Sequence, residues 1–409
     1  MISLEDAQAR INADIAELPI VEVPLADSLG LVLQQDVVAT EPIPPFDNTA
    51  MDGFAIRAAD SVGASEAAPL RLPVVATVAA GAVAPRPLEP GEAMRIMTGA
   101  PIPDGADAVI MVELTRPIDD GAVELLDAVP VGNHVRPTGD DIPAGTVVFG
   151  AGTLITPGHI GVMASIGVAR VAVRRRARVG VFSTGDELVD AGVPLAHGQI
   201  RDSNRPTLLA LLREAGVEPV DLGRLPDDEA QIDAALRAAV DPASDRPVDA
   251  LLTSGGVSMG DFDYVKKVLS ELGELNWMQV AIKPAKPLAF GLLFGIPVFG
   301  LPGNPVSSVV SFELFARPAI RTMMGLPQPE RRSVWAIADE PLLRTPDGKV
   351  HFQRVVVEPE PDGSWRVRSA GGQGSHQLSA LATANGLAVL PDGDGVSAGQ
   401  RVRVLQLDS

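Results

Sequence analysis

Two turns with almost no side chains are the part of this chain best suited to hold an anion. They are SGGVSMGD (residues 254–261) and LPGNPVSS (residues 301–308), and each lies between an apolar run and a helical pattern. Glycine lets backbone N–H groups approach a ligand closely, and a helix N-terminus favours negative charge. The segment IKPAKP adds the ammonium groups of Lys283 and Lys286. Either turn alone would be interpreted as an ordinary strand–helix connection, but both turns and the lysine pair together predict a site for a phosphate-bearing ligand.

Carboxylates accompany these turns in the sequence. Several carboxylates beside a phosphate would repel it unless a cation intervened, and Mg²⁺ is commonly held by one or two carboxylates together with phosphate oxygens. Asp227 and Asp261 have an alternative role, because each precedes a helical pattern and could cap that helix. Glu187 and Asp263 are explained less well by capping. We therefore expect these two acids to act at the site.

The elements that must position these residues lie in residues 177–326. Short β-type runs alternate there with helical runs, which predicts βαβ units and a mostly parallel sheet covered on both faces. Ligands bind outside the carboxyl ends of the strands in such sheets, so the loops at those ends should form one crevice. The residues expected in the crevice are Ser183, Thr184, Asp186, Glu187, Asp227, Asp228, Ser254, Gly255, Gly256, Ser258, Asp261, Asp263, Lys283, Lys286, Gly303 and Asn304.

The chain is predicted to form four domains. Residues 1–46 and 140–176 are expected to form a discontinuous linking and dimerisation domain, interrupted by a β-rich insert of residues 47–139. Residues 177–326 form the α/β domain, and residues 327–409, with strand-like runs such as VHFQRVVVEP, form a small β-barrel. The predicted fold class is therefore α/β multidomain: a mostly parallel α/β sandwich with a β-rich insert domain and a C-terminal small β-barrel.

Composition and charge exclude several classes of function. The 409 residues carry a net charge of −19, which disfavours nucleic acid and anionic membranes as partners. The absence of Cys excludes disulfides, thiolate metal ligands and a Cys nucleophile. No stretch is apolar enough to span a bilayer, and the N-terminus reads as an amphipathic helix capped by Ser3 instead of a signal peptide. We therefore expect a cytoplasmic protein that binds small molecules.

Three loops before residue 150 carry further polar candidates. They are PPFDNTAMDGFAIR with Asp52, MRIMTGAPIPDGADAVIMVE with Thr98, and GNHVRPTGDDIPAG with Arg136, Asp140 and Asp141. Each loop by itself is more often structural, because Asp, Asn and Gly form turns without performing chemistry. Residue types alone therefore leave the role of these loops open.

Taken together, these segments resemble those of the molybdopterin molybdenumtransferase family, the MoeA and gephyrin E-domain proteins. The similar motifs occur in the family's order and run nearly from end to end of the chain. They are DNTAMDGFAIR, RIMTGAPIPDGADAVIMVE, VGVFSTGDEL, GQIRDSN, TSGGVSMGDFDYVK, IKPAKPLAFG, GLPGNPVSS and GGQGSHQLSAL. One such motif would be weak, whereas the ordered set is specific.

The resemblance implies an enzyme of molybdenum cofactor biosynthesis. Such an enzyme takes adenylyl-molybdopterin and molybdate, inserts the metal into the dithiolene with the help of Mg²⁺, and releases AMP. The resemblance also implies a molybdopterin-binding α/β domain, an elongated homodimer with sites between subunits, and other proteins of the cofactor pathway as partners. The two sulfurs of the substrate would supply the soft metal ligands, consistent with a chain that has no Cys.

The matching motifs imply the functional residues one by one. Those carried over are Asp52, Thr98, Asp141, Glu187, Asp227, Asp228, Asp263, Lys283, Lys286, Pro302, Pro305 and Ser375, with Arg136 as a further binding residue. Asp141, Asp227 and Asp263 are the implied Mg²⁺ ligands. The segment RPTGDD differs from the family's usual basic-Gly-Glu-Asp form, so the functional acid there could be Asp140 or Asp141.

Two other functions are weighed against this one. An enzyme that adenylylates molybdopterin shares the SGG and PGNP turns, but its family is small and lacks DNTAMDGFA and RIMTGAP, which are present here. A dimeric scaffold for partner peptides would not need so many polar residues at strand ends. Both comparisons favour molybdenum insertion.

Overall fold

The structure is a computed structural model of the chain, and it describes residues 1–118, 121–241, 243–244, 247–255 and 264–407. The chain forms two compact units. Unit 1 comprises Met1–Val21, Gly30–Val32 and Val173–Ser409, and unit 2 comprises Glu22–Leu29 and Leu33–Ala172. The finer division into four domains stays a prediction.

The helices and strands alternate with many short turns. Up to residue 174 they are α1 (Leu4–Ala13), β1 (Ile20–Pro24), β2 (Val37–Val38), β3 (Asn48–Thr49), β4 (Gly53–Ile56), β5 (Ser65–Val78), β6 (Ala93–Ile96), β7 (Ala108–Met111), β8 (Thr115–Ile118), β9 (Ala122–Asp127), β10 (Val135–Arg136), β11 (Val147–Phe149), α2 (Pro157–Ser165) and β12 (Arg170–Arg174). The following elements are β13 (Arg178–Thr184), β14 (Leu188–Val189), β15 (Ile200–Arg201), α3 (Asn204–Glu214), β16 (Glu218–Leu225), α4 (Glu229–Val240), β17 (Ala250–Ser254), α5 (Tyr264–Leu272), β18 (Gly273–Gln279), β19 (Ile282–Lys283), β20 (Pro287–Leu293), β21 (Ile296–Leu301), α6 (Pro305–Ser311), α7 (Arg317–Met323), β22 (Ser333–Ala338), β23 (Leu342–Leu343), β24 (Val350–Pro359), β25 (Trp365–Ser369), α8 (Leu378–Thr383), β26 (Gly386–Leu390), β27 (Gly395–Val396) and β28 (Arg401–Gln406).

Unit 2 contains a six-stranded sheet with the strand order β7–β4–β6–β5–β9–β8. Strands β5 and β6 run parallel, and the other neighbours run antiparallel. Alternate residues of β4 face opposite sides of the sheet, so Phe54 and Ile56 join one buried apolar cluster and Ala55 joins the other. The predicted β-rich character of this part of the chain is confirmed.

The largely parallel sheet predicted for unit 1 is also confirmed. Its strand order is β16–β13–β17–β21–β20–β18, with parallel pairing from β16 to β21 and with β20 antiparallel to both of its neighbours. Along β13, Val179 and Val181 pack with Leu208 of α3, whereas Phe182 packs with Ile232 of α4. Helices therefore cover both faces, as the apolar run of β13 predicts.

Residues 333–406 contain a closed barrel in the order β24–β25–β22–β28–β26, with β26 pairing back to β24. Its interior is filled by small and branched side chains such as Ala336, Val355, Val367 and Val404. This arrangement confirms the predicted C-terminal barrel. In the part of the chain that the structure describes, no helix is both long and apolar enough to cross a membrane.

Helices α1 and α3 each begin with a side-chain cap, and the first of these caps was predicted. The Oγ of Ser3 accepts the N–H of Asp6 at 3.0 Å at the start of α1. At the start of α3 the side chain of Asp202 accepts a first-turn N–H, that of Arg205, at 3.1 Å, whereas Ser203 makes no such bond. Both caps give the following helix a defined starting point.

Candidate functional site

The carboxyl ends of the unit 1 strands lie side by side. Ser183 at the end of β13 pairs with Ser254 at the end of β17, and Ser254 pairs with Leu301 at the end of β21. On the other side of β13, Thr184 pairs with Leu225 at the end of β16. The loops that follow these strands therefore begin in one row across the sheet, as the βαβ pattern predicts.

The two glycine turns lie against each other. The N–H of Gly255 donates to the carbonyl of Leu301 at 3.2 Å, and a Cβ on Gly303 would lie 3.8 Å from the Cα of Gly255. Gly255 has φ +96°, and a Cβ there would lie 3.2 Å from the carbonyl oxygen of Thr184. Only glycine fits both constraints at residue 255.

The residues after Gly303 start a helix as predicted. Pro302 is buried, Asn304 occupies the N-cap of α6 without a side-chain capping bond, and Pro305 lies in the first turn. The N–H of Val306 donates to the carbonyl of Ser375 at 3.2 Å, which brings the segment GGQGSHQLSAL to the same helix start. Because that amide already has a partner, a ligand would meet fewer free amides here than the turn sequence suggests.

The lysine segment lies at the same edge of the sheet. Gln279 at the end of β18 pairs with Pro287, and Ala289 pairs with Gly300 near the end of β21. Lys283 and Lys286 are exposed, and no carboxylate of the described residues is within ion-pair distance of either ammonium group. The loop between β18 and β20 therefore carries two cations that have no ion-pair partner among the described residues.

The acids gather at the ends of β13 and β16. The N–H of Asp227 lies 3.4 Å from Oδ1 of Asp186, and the carboxylate of Glu187 lies against Gly185, where a Cβ would come within 2.5 Å of its Oε2. Burial raises the pKa of the Asp227 carboxyl, and the charges of Asp186 and Glu187 raise it further. The charged form of the Asp227 carboxyl is therefore disfavoured at this edge of the sheet.

Capping involves a different acid from the one expected. The carboxylate of Asp228, and not that of Asp227, accepts the N–H of Gln231 at 2.9 Å and caps α4. The idea that Asp227 caps this helix is therefore wrong, because α4 begins one residue later than the pattern suggested. The cap occupies one oxygen of Asp228, and its predicted catalytic role stays a prediction.

A buried guanidinium lies beneath the segment that contains Ser375. Arg354 on β24 is 0% exposed, and its Nη2 donates to the carbonyls of Gly372 at 2.6 Å and Gly374 at 3.2 Å. Its Nε and Nη1 are buried without a hydrogen-bond partner, and none of the described carboxylates pairs with it. Burial alone lowers the pKa of this guanidinium, since no anion compensates the charge.

Unit 2 has its own cluster of predicted residues, built from three loops. Asn48 pairs with Arg136 and bridges to Pro101, which brings the DNTAMDG, TGAP and RPTGDD segments together. Thr98 donates its N–H and its hydroxyl to Oδ1 of Asp52, both at 2.7 Å, and these bonds hold the pKa of Asp52 below its usual range. Three of the five candidates from this part of the chain, Asp52, Thr98 and Arg136, therefore lie in loops that meet in one cluster.

The same arrangement recurs next to it. Thr138 donates its N–H at 2.7 Å and its hydroxyl at 2.8 Å to Oδ1 of Asp47, which lowers the pKa of Asp47. The fourth candidate, Asp141, is exposed and is tied by its N–H to the carbonyl of Ile43 at 2.9 Å, while Asp140 bonds back to Pro137. Backbone contacts thus anchor both Asp140 and Asp141, and which of the two is the functional acid stays open.

Four predicted site residues, Gly256, Ser258, Asp261 and Asp263, lie outside the residues that the structure describes. Among the described residues, no group of three or more His, Asp or Glu side chains is spaced to hold a metal ion. The predicted trio of Asp141, Asp227 and Asp263 therefore stays a prediction.

Comparisons with known proteins match the chain over most of its length. Three family models match consecutive parts of the chain: the MoeA N-terminal region (domain I and II) over residues 2–167, a probable molybdopterin binding domain over 180–322, and the MoeA C-terminal region (domain IV) over 343–407. Molybdopterin molybdenumtransferase 2 of Mycobacterium tuberculosis is 42% identical over 395 residues, covering 95% of each chain. The molybdopterin molybdenumtransferase of Haemophilus influenzae is 37% identical over 413 residues, covering 99% of this chain and 98% of its own.

The chain belongs to the molybdopterin molybdenumtransferase (MoeA) family. A crystal structure of the molybdopterin biosynthesis MoeA protein from Pyrococcus horikoshii OT3 superimposes with a TM-score of 0.78 at 31% identity, covering 99% of this chain and 100% of that one. The family resemblance seen in the motifs is confirmed, and so is the class of enzyme, a transferase of molybdenum cofactor biosynthesis.

In this family member, sequence reasoning missed several residues that organise the site. Asp202 is buried and accepts the hydroxyl of Ser183 at 2.6 Å and the Nε of Arg205 at 3.1 Å. Arg205 also contacts Asp221 and Asp190, so one guanidinium joins β16 and the loop after β14 to Asp202, which in turn bonds Ser183 of β13. The hydroxyl of Ser183 therefore already has a partner inside the protein, and its predicted contact with substrate stays a prediction. The quoted motif GQIRDSN contained Asp202 and Asn204, but their spacing indicated no partner.

A separate cavity of about 840 Å³ opens among α3, α6 and α8, with Thr207, Leu211, Val309 and Leu381 in its wall. None of the sequence-predicted site residues lines it. The predicted site residues of unit 1 therefore lie at the carboxyl edge of the sheet and not in this cavity.

Proposed function

We propose that this protein inserts molybdenum from molybdate into adenylyl-molybdopterin, with Mg²⁺-assisted release of AMP, to give the molybdenum-loaded pterin. The observation that carries the proposal is the meeting of the two glycine turns with the lysine loop and the acids at one edge of the unit 1 sheet. Family membership supplies the reaction class, and this arrangement supplies groups suited to each part of the substrates.

The adenylate phosphate fits the cationic side of the edge. Lys283 and Lys286 are exposed and unpaired among the described residues, and the loop that carries them follows β18 at the same edge of the sheet as Gly255 and Gly303. A phosphoanhydride that loses AMP develops negative charge on the leaving phosphate, and positioned ammonium groups stabilise such charge. Loss of either lysine should therefore slow AMP release.

Molybdate, the oxyanion substrate, is suited to the buried guanidinium of Arg354. Arg354 carries an uncompensated charge and two unpartnered nitrogens under the loop that contains Ser375. A guanidinium binds a tetrahedral oxyanion well because its donors form a planar fork. We propose Arg354 and Ser375 as molybdate ligands that become available when this loop rearranges.

Mg²⁺ fits the acidic side. Asp227 has a raised pKa beside Asp186 and Glu187, so a divalent cation would relieve repulsion that the protein itself leaves unbalanced. Mg²⁺ usually takes only one or two carboxylates and completes its shell with water and substrate phosphate. Asp227 would be one such ligand, and Mg²⁺ would supply charge neutralisation at the phosphoanhydride.

We also propose that the protein acts as a homodimer in the cytoplasm, in contact with other proteins of the cofactor pathway. In this proposal the loop cluster of Asp52 and Thr98 in one subunit completes the unit 1 site of its partner subunit. The test is complementation between an Asp52→Ala chain and a Lys283→Ala chain. Mixed dimers should recover part of the activity that each variant lacks alone, whereas sites made within one subunit would show no recovery.

The decisive experiment for the reaction is single turnover with adenylyl-molybdopterin, molybdate and Mg²⁺. AMP release should require molybdate and Mg²⁺, and it should fall strongly for Lys283→Ala with little change in the unfolding midpoint. Arg237→Ala serves as the control, because it removes an exposed cation whose contacts, among the described residues, are with Asp233 on the same helix and with the ring of Phe294. AMP release without molybdate, or adenylylation of molybdopterin from ATP, would contradict the proposed reaction.

A further inference from the structure

The first residue of α3 ties the two glycine turns together. Nδ2 of Asn204 donates to Oγ of Ser254 at 2.7 Å and to the carbonyl oxygen of Gly303 at 2.7 Å. A carbonyl can only accept, so the atom that faces Gly303 must be the nitrogen and not the amide oxygen of Asn204. Both hydrogens of the amide are thereby used, one for each turn.

This geometry determines where the hydroxyl of Ser254 accepts a hydrogen bond and where it is free to donate one. Because its oxygen accepts a hydrogen from Asn204, the hydrogen of Ser254 must be donated elsewhere. No contact among the described residues has that hydroxyl as a donor. Ser254 lies at the end of β17, immediately before Gly255, so its hydrogen is available to a ligand bound at this end of the strand.

We propose that Asn204 is a positioning residue that makes Ser254 a hydrogen-bond donor to the anionic phosphate of the adenylylated substrate. The inference rests on the proposed function, and it adds the reason why these turns accept an anion. By also holding the carbonyl of Gly303, Asn204 turns that oxygen away from the ligand.

The start of α3 is rigid enough for this task. Asp202 is buried and caps the helix through the N–H of Arg205, while it also accepts the hydroxyl of Ser183. Arg205 ties the same helix start to Asp221. Because the start of α3 is held by contacts to two strands, the side chain of Asn204 loses little entropy when it binds both turns.

The change Asn204→Asp tests this role because it preserves shape and removes both donors. A carboxylate can only accept, so the Ser254 hydroxyl would turn toward it and present lone pairs to the phosphate. Asn204→Ala removes the contact without this reversal. Ser203→Asp is the charge-matched control, since it adds a carboxylate one residue away at a side chain that makes no capping bond.

The measurements are AMP binding by calorimetry and steady-state KM and kcat. Asn204→Ala and Ser254→Ala should each weaken AMP binding about tenfold, and Asn204→Asp about a hundredfold, as expected for hydrogen bonds to a charged group. KM should rise with the dissociation constant while kcat changes by no more than about twofold. In the double variant Asn204→Asp with Ser254→Ala, the additional loss should disappear, because no hydroxyl remains to be reversed.

Several outcomes would overturn the inference. Asn204→Asp could weaken AMP binding no more than Ser203→Asp, or the effects at residues 204 and 254 could simply add. If Asn204→Asp does not fold, additivity between Asn204→Ala and Ser254→Ala refutes it in the same way. If the wild-type protein binds AMP and turns over but the variants are unaffected, only this role of Asn204 is refuted. If the wild-type protein binds no AMP, the proposed function is refuted as well.

Discussion

The change Gly255→Ala is the sharpest test of why the turn after β17 is bare. Gly255 has φ +96°, a region that L-residues rarely adopt, and its added Cβ would lie 3.2 Å from the carbonyl oxygen of Thr184. The neighbouring strand end cannot easily yield, because β13 is paired on both sides. The substitution therefore strains the turn and pushes on the adjacent one.

The cost follows from these two terms. A left-handed backbone costs a non-glycine residue about 1–2 kcal/mol, and strained residues of this kind cost about 1–3 kcal/mol in total. We therefore expect Gly255→Ala to lower the free energy of unfolding by roughly 2 kcal/mol, which corresponds to a fall of about 4–8 °C in the unfolding midpoint of a domain of this class.

Gly303→Ala is the matched control within the same pair of turns. Its φ lies outside the left-handed region, and its added Cβ would meet nothing nearer than the Cα of Gly255 at 3.8 Å, an ordinary contact. Its effect on stability should stay below about 0.5 kcal/mol. Urea unfolding followed by circular dichroism measures both variants, and the m-value checks that the same surface unfolds. Equal midpoints for wild type and Gly255→Ala, or equal losses for both alanine variants, would refute the reasoning.

Three further predictions concern charge. Asp227→Asn should raise the unfolding midpoint at pH 7 while reducing Mg²⁺-dependent turnover. Because the pKa of Asp227 is raised in the folded protein, the wild type loses stability as the pH rises through that pKa. The gain in unfolding midpoint from Asp227→Asn should therefore vanish below pH 3.8, the ordinary pKa of the group. An unchanged midpoint at pH 7 would contradict the burial of this charge. Thr98→Val should move the pKa of Asp52 partly back toward its usual range, because the N–H bond remains, and carboxyl NMR titration would detect no shift if the hydroxyl contributed nothing. Arg354→Met should abolish molybdate binding in calorimetry with a stability change within about 1 kcal/mol. Arg344→Met should lower the stability more, because Arg344 is a buried donor to the carbonyls of Lys349, Leu390 and Pro391, yet this variant should keep molybdate binding.

The parts of the site that were predictable depend on short-range patterns. The alternation of β-type and helical runs predicted the parallel sheet, and the row formed by Ser183, Ser254 and Leu301 follows from parallel pairing alone. The role of glycine at residue 255 could be predicted because its backbone conformation is one that residues with a side chain rarely adopt. Pro305 was readable as a first-turn residue for a similar local reason.

The parts that were missed depend on partners far apart in the chain. Arg354 looked like one more alternating residue of a barrel strand, and only the structure shows its guanidinium buried under the Gly372 and Gly374 carbonyls without an acid beside it. The cap of α4 was displaced by one residue, because a run of two Asp residues does not tell which one begins the helix.

The amino-acid sequence by itself determined the family, the sheet type and the location of the glycine turns, because motif order, hydrophobic period and backbone freedom are properties of neighbouring residues. Only the tertiary structure decided that Asn204 bridges residues 254 and 303, because a hydrogen bond between an amide and a turn 99 residues away depends on where the folded sheet places both. The physical reason is that spacing along a chain records local conformation, whereas the partner of a polar atom is set by the packing of strands that the sequence separates.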